Sequence, residues 1–134
     1  MDTDQKNIEI AKRMYETLVG GDMDGALTLM SDDIQWIYYG DATTIPFSGV
    51  YTGHDGVIQF FADYGEVAEP LGMDLDHFYP SGDTVLVTGS EKSKVKSTGK
   101  TYTAPFVHVL KIVEGRIVSY EEYINSAEVA NAFR

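Results

Sequence analysis

The residue best suited to acid–base chemistry is Glu122, which lies near the end of a predicted hairpin. The hairpin spans Thr101 to Asn125, and Glu114-Gly115 between its two arms is typical of a tight turn. Both faces of both arms carry apolar residues, so both faces are expected to be covered. A carboxyl group in an apolar pocket has a raised pKa and can act as a general acid or base near neutral pH. The alternative is that the assignment of residues to the strand faces is wrong by one residue, which leaves Glu122 exposed or ion-paired.

Two tyrosines supply candidate hydrogen-bond donors for the same chemistry. Tyr15 lies on a predicted helix and Tyr38 in a predicted buried strand, and either hydroxyl can stabilise an oxyanion. Simple packing, with the hydroxyl bonded to the backbone, is the alternative. The aromatic residues expected to line a cavity or its floor are Trp36, Phe60, Phe61, Tyr64 and Tyr120.

The sequence predicts neither a metal nor a nucleotide cofactor. Its three histidines are scattered without the H-x-x-x-H spacing of metal sites, and it contains no cysteine. No glycine-rich loop joins a strand to a helix, so phosphate binding is not expected. His108, between apolar neighbours, is the obvious candidate for a general base.

Charge and length narrow the class of protein. A net charge of −11 over 134 residues argues against nucleic-acid binding, and the length suits one domain, residues 1–134. The alternating lysines from Lys92 to Lys96 are expected to form a solvated strand edge. No segment resembles a membrane span or an export signal, so we expect no membrane association and a cytoplasmic location.

Periodicity predicts three helices followed by strands. Apolar residues recur at helical spacing over residues 4–19, 22–30 and 53–64. A buried strand is expected over residues 34–39, and nearly everything after residue 73 alternates as strands do. The predicted class is therefore α+β: three N-terminal helices packed on a strongly curved, mainly antiparallel sheet, forming a cone-shaped barrel with one open mouth.

Three segments together resemble the nuclear transport factor 2-like superfamily, in its SnoaL-like, ketosteroid isomerase-related branch. They are GGDMDGALTLMSDDIQW after the first helix, PFSGVYTGHDGVIQFF, and TAPFVHVLKIVEGRIVSYEEYIN. The resemblance covers nearly the whole chain and implies the cone-shaped fold. It does not imply one activity, because this fold hosts isomerases, cyclases, hydrolases, dehydratases and binding domains.

Residue by residue, the resemblance disfavours the known isomerase mechanism. Tyr15 in YETLVGGD matches the tyrosine that polarises the substrate carbonyl. Tyr38 stands where the isomerase has its general-base aspartate, and Val107 in APFVH stands at the position of its second acid. The arginine-containing set of epoxide hydrolase-like relatives is also missing from the expected interior positions.

The resemblance also implies an orientation for the hairpin. It places Glu122 in the cavity, together with four ligand-binding residues on the same strands: Val107, Val109, Tyr120 and Ile124. It turns the alternate face outward as a homodimer surface carrying Phe106, His108 and Leu110. On this interpretation His108 packs in an interface and is not the catalytic base.

The predicted function is binding of a small, largely apolar molecule that bears a carbonyl or hydroxyl group. Cofactor-free proton transfer of the isomerase, cyclase or dehydratase type would follow, with Glu122 as the acid or base. Tyr15 or Tyr38 would stabilise the oxyanion. The alternatives are a non-catalytic ligand-binding protein on the same fold and a protein-interaction module.

Overall fold

The computed structural model describes residues 2–134, in which four helices pack with a six-stranded sheet. The helices are α1 (Thr3–Val19), α2 (Met23–Thr28), α3 (Gly53–Val67) and α4 (Ser126–Ala132). The strands are β1 (Met30–Tyr38), β2 (Gly49–Thr52), β3 (Ala68–Ser81), β4 (Thr84–Val95), β5 (Thr101–Val113) and β6 (Arg116–Ile124). The predicted α+β class is confirmed, and α4 follows the sheet as a fourth helix.

Helix α1 is defined by local signals at both ends. The Asp2 side chain accepts a hydrogen bond of 2.8 Å from the Gln5 backbone N–H, which satisfies one of the free donors of the first turn. Gly20 follows the last turn. The inner face buries Ala11, Met14 and Tyr15, so the helical spacing itself aims Tyr15 at the interior.

The sheet is curved and has the strand order β2-β1-β6-β5-β4-β3. Strands β1 and β6 are parallel, and the other neighbouring strands are antiparallel. Helix α1 contacts β3 and β4, while α3 contacts β1, β2 and β3. In the described part of the chain the edge strands β2 and β3 do not pair with each other, so the sheet is not closed. A space lies between the concave face of the sheet and helices α1 and α3.

A β-bulge sets the register of the central hairpin. Glu114 and Gly115 have φ values of 50° and 77°, as a tight two-residue hairpin turn requires. Ile112 pairs with Ile117, but Lys111 pairs with Ser119, so one extra residue is accommodated in β6. Beyond the bulge His108 lies opposite Glu122, whereas an unbroken hairpin would have placed Val107 there.

None of the helices within residues 2–134 has both the length and the apolar character that crossing a membrane requires.

Candidate active site

Glu122 lies at the inner end of a cavity between the curved sheet and helices α1 and α3. The cavity has a volume of about 410 Å³, and only 3% of Glu122 is exposed. Its strand neighbours are Tyr38 on β1 and His108 on β5. Side chains of directly paired residues point to the same face of a sheet. Three polar side chains therefore converge at one point of an otherwise apolar interior.

Aromatic rings are prominent in the cavity wall. The predicted site residues that line it are Tyr15, Trp36, Tyr38, Phe60, Phe61, Tyr64, Tyr120 and Glu122. Trp36 stacks on Tyr120 with ring centroids 3.7 Å apart. The exposed residues Leu71, Met73 and Lys92 also border the cavity and mark its open side. Ile124, also predicted to line the cavity, instead packs half-buried against the core.

Four side chains form a continuous row of hydrogen bonds along the inner end of the cavity. The Tyr15 hydroxyl lies 2.7 Å from His108 Nδ1, and His108 Nε2 lies 3.0 Å from the Tyr120 hydroxyl. Tyr120 in turn donates to Glu122 Oε1 at 2.9 Å. Helix α1 and strands β5 and β6 thus supply one connected polar network.

His108 is neutral in this network. Burial lowers the pKa of its imidazole to about 3, because a charged ring in the interior would lose its hydration. A neutral imidazole has one N–H donor and one acceptor nitrogen, and here each nitrogen has a tyrosine partner. The tyrosines also stay neutral, because burial and the nearby Glu122 raise the pKa values of Tyr15 and Tyr120.

A second carboxyl group, that of Glu91 on β4, lies beside Glu122 in the same cavity. Burial raises the pKa values of both groups, and the charge of Glu122 raises that of Glu91 further. Two such carboxyl groups ionise as a pair, since the first charge opposes the second. The cavity therefore holds a proton donor and a proton acceptor near neutral pH.

Several buried polar atoms in this cavity have no hydrogen-bond partner within residues 2–134. They are Glu122 Oε2, the Tyr38 hydroxyl and Trp36 Nε1. Burying a polar group without a partner is unfavourable, so proteins usually pair such groups. These atoms are two hydrogen-bond donors and one acceptor that the described residues leave unsatisfied beside the cavity.

The described residues contain no group of three or more His, Cys, Asp and Glu side chains arranged to hold a metal ion.

A sequence model of the SnoaL-like domain matches residues 11–120. The chain belongs to the SnoaL-like family.

An NTF2-like protein from Burkholderia xenovorans LB400 is 28% identical, with 98% of each chain covered and a TM-score of 0.88. A Mesorhizobium loti protein assigned as a SnoaL-like polyketide cyclase is 26% identical, with a TM-score of 0.69 over 87% of this chain and 97% of its own. TerC, co-crystallised with polyporic acid, is 24% identical, with a TM-score of 0.86 over 96% of this chain and 98% of TerC. No curated protein sequence matches this chain significantly.

The predicted orientation of β5 is wrong in this SnoaL-like chain. Val107 is 36% exposed and Val109 is half-buried, and neither lines the cavity. Phe106, His108 and Leu110 are buried inside, so they cannot form an outer dimer surface. The physical reason is the bulge in β6, which shifts the pairing by one residue and so exchanges the faces of β5 relative to Glu122.

Sequence reasoning missed Glu91 and set His108 aside. A signal for Glu91 was present in the alternating lysines of β4. If Lys92 and Lys94 point to solvent, their neighbours Glu91 and Ser93 must point inward. A signal for His108 was present in β5 itself, where Thr101, Thr103 and Lys111 share one face and His108 lies on the other, more apolar face.

Proposed function

We propose that this SnoaL-like protein binds a small, largely apolar molecule with a carbonyl or hydroxyl group and catalyses cofactor-free proton transfer on it. The observation that carries the proposal is a pair of carboxyl groups that line the same cavity, the half-buried Glu91 and the buried Glu122. Raised pKa values let one carboxyl group hold a proton while the other accepts one. Isomerisation, cyclisation and dehydration all need such a pair.

In the proposed reaction Glu122 Oε2 removes a proton from the ligand, since this oxygen has no hydrogen-bond partner among residues 2–134. The Tyr38 hydroxyl, also without a partner, donates a hydrogen bond to the developing oxyanion. Glu91 then returns a proton to a second position of the ligand. Glu122 regains its charge by passing its proton to Glu91, so no cofactor is consumed.

Similar proteins suggest which ligands to test. The Mesorhizobium loti relative is assigned as a polyketide cyclase, and TerC has been co-crystallised with polyporic acid. Polyporic acid and cyclic ketones are therefore the first compounds to test as ligands.

The test replaces Glu122 by Gln, which keeps the shape of the side chain and removes its basicity. Ketones are incubated with the protein in D₂O, and deuterium uptake is followed by mass spectrometry. We expect Glu122→Gln to slow exchange at least about 100-fold. Binding, read from the fluorescence of Trp36, the only tryptophan, should change little. Glu121→Gln, on the opposite face of β6, is the matched control and should exchange normally. Equal exchange in both variants contradicts the proposal.

Non-catalytic binding is the second candidate function. The observation that favours it is the occupation of the two isomerase acid positions by Tyr38 and Val107. In that case ligands quench Trp36 fluorescence in the wild type, but no compound takes up deuterium from D₂O faster when the protein is present.

A further inference from the structure

His108 is a buried, doubly bonded imidazole that the proposed reaction does not use. Only 1% of it is exposed, and both ring nitrogens have tyrosine partners. We propose that His108 and Tyr120 are positioning residues that pass a proton between Tyr15 and Glu122. The protonation of Glu122 then decides whether the Tyr15 hydroxyl donates to His108 or to the ligand. This inference rests on the proposed role of Glu122 as the group that gains and loses a proton.

The hydrogen bonds of the row can be satisfied in two ways. With Glu122 ionised, Tyr120 donates to Oε1, His108 donates through Nε2 to Tyr120, and Tyr15 donates to Nδ1. With Oε1 protonated, each bond reverses: Glu122 donates to Tyr120, Tyr120 to Nε2, and Nδ1 to Tyr15. The hydroxyl hydrogen of Tyr15 is then free to point into the cavity that Tyr15 lines.

The two arrangements differ by a balanced set of proton shifts. A ligand hydroxyl gives its proton to the Tyr15 oxygen, and Tyr15 gives its own proton to Nδ1. Nε2 releases its proton to Tyr120, and Tyr120 releases its proton to Glu122 Oε1. The ligand becomes an oxyanion held by Tyr15, Glu122 becomes neutral, and no other reactant is needed. The reverse sequence protonates a ligand oxyanion.

Stacking holds the rings in place, so the protons move while the rings stay fixed. Phe106 lies parallel to His108 with centroids 3.9 Å apart and 5° between the ring planes. Trp36 covers Tyr120 in the same manner. A ring flip of His108 would break both of its hydrogen bonds in a dry interior, whereas a change of tautomer keeps both.

Two other readings of the contacts lead to different results. The imidazole could serve structure alone and keep one tautomer. Alternatively, protons could pass directly between His108 Nε2 and Glu122 Oε2, which lie 3.4 Å apart without a hydrogen bond, and so bypass Tyr120.

Other titratable groups face Glu122 from every packed element. They are Tyr15 of α1, Tyr38 of β1, Tyr64 of α3, Glu91 of β4, Tyr102 of β5 and Tyr120 of β6. Burial raises the pKa values of these tyrosines, so the two carboxyl groups are the members of this set that change charge near neutral pH.

The experiment follows the ¹⁵N resonances of His108 in histidine-labelled protein between pH 5 and 9, which needs neither a substrate nor turnover. We expect His108 to stay neutral while its proton moves from Nδ1 at low pH to Nε2 at high pH. Glu122→Gln should abolish this pH-dependent change of the His108 tautomer. Glu91→Gln should retain the change of tautomer but shift the pH of its midpoint. One unchanged tautomer in the wild type overturns the inference even if deuterium exchange succeeds.

Tyr120→Phe tests the route, because phenylalanine keeps the stack on Trp36 and removes the hydroxyl. We expect the tautomer of His108 to become independent of pH in this variant. Tyr38→Phe is the matched control, since Tyr38 lies beside Glu122 outside the row, and it should preserve the exchange. If the His108 tautomer still changes with pH in Tyr120→Phe, Tyr120 does not carry the proton, and the direct contact between His108 Nε2 and Glu122 Oε2 is the route.

Discussion

Burial acts in opposite directions on the two ionisable partners of the network. It lowers the pKa of His108 to about 3, because the protonated imidazolium is the charged form of histidine. It raises the pKa of Glu122, because the deprotonated carboxylate is the charged form of glutamate. Both groups are thereby pushed towards their neutral forms. At the scale of single residues, burial favours the protonated forms of Glu122 and Glu91 and keeps His108 a neutral hydrogen-bonding link.

These shifts predict how stability depends on pH. His108 is neutral in the folded chain, and in the unfolded chain it has lost its proton about one pH unit above its ordinary pKa of 6.5, so above that pH the carboxyl groups dominate. The folded state holds protons that unfolded carboxyl groups have lost. The free energy of unfolding should therefore fall as pH rises, by up to about 1.4 kcal/mol per pH unit for a carboxyl group that is still protonated in the folded chain. For Glu122, whose pKa is raised to about 7, this fall ends just above neutral pH. Urea denaturation of Glu91→Gln at several pH values should show a shallower fall than the wild type.

Glu121→Gln, which changes a carboxyl group outside the cavity, serves as the control and should retain the slope of the wild type. Identical slopes in wild type and Glu91→Gln would show that the Glu91 carboxyl is not perturbed by burial.

Tyr15 and Tyr38 should differ in what their hydroxyl groups contribute to stability. Tyr15→Phe removes the donor of His108 Nδ1 and leaves a buried nitrogen unpaired, at a cost of about 1–3 kcal/mol. Tyr38→Phe removes a hydroxyl without a protein partner, so the free energy of unfolding should stay constant or rise. Urea denaturation compares the two variants, and equal losses would contradict the assigned hydrogen bonds.

At the scale of elements, the approach of β3 to β4 depends on Gly89. A Cβ atom there would overlap the carbonyl oxygen of Asp74 on β3 and would lie 2.8 Å from Phe106 Cζ. Phe106 stacks on His108, so this packing also supports the network. Because glycine has no side chain, β3 and β4 can approach each other closely at this position.

Gly89→Ala should therefore destabilise the protein by about 2 kcal/mol or more, because backbone atoms of β3 must move. Gly65→Ala is the matched control. Gly65 lies in α3 with no atom within 4 Å of its added Cβ, and alanine should add about 0.5–1 kcal/mol of stability. Thermal unfolding of both variants checks this, and a neutral Gly89→Ala would refute the close packing.

At the scale of the whole molecule, the outer face of the sheet carries partly exposed apolar side chains. Leu86 pairs with Val109 and Val107 pairs with Tyr123, which forms one partly exposed apolar patch across β4, β5 and β6. We propose that the predicted homodimer uses this patch, in place of the buried residues first expected. The net charge of −11 opposes the pairing of two copies, so added salt should favour it.

Val107→Glu should break such a dimer without unfolding the chain, because its side chain points to solvent. Sedimentation should give a dimer for the wild type and a monomer for the variant. Lys111→Glu, an outward substitution on the same strand beyond the patch, should remain dimeric. A monomeric wild type at high protein concentration and high salt removes the proposal.

The sequence by itself determined the fold class and half of the site. Helical spacing placed Tyr15 inward, and hydrophobic runs placed Trp36 and Tyr38 in a buried strand. These signals are local, since each depends only on the period of one helix or strand. The family resemblance supplied their arrangement around a curved sheet.

The tertiary structure alone decided which side chains meet. One extra residue in β6 placed Glu122 opposite His108 instead of Val107, because an added residue moves every following side chain of that strand to the other face. The pairing of β4 with β5 brought Glu91 into the cavity from a distant part of the chain. Contacts between strands depend on register, and register is a property of the assembled sheet.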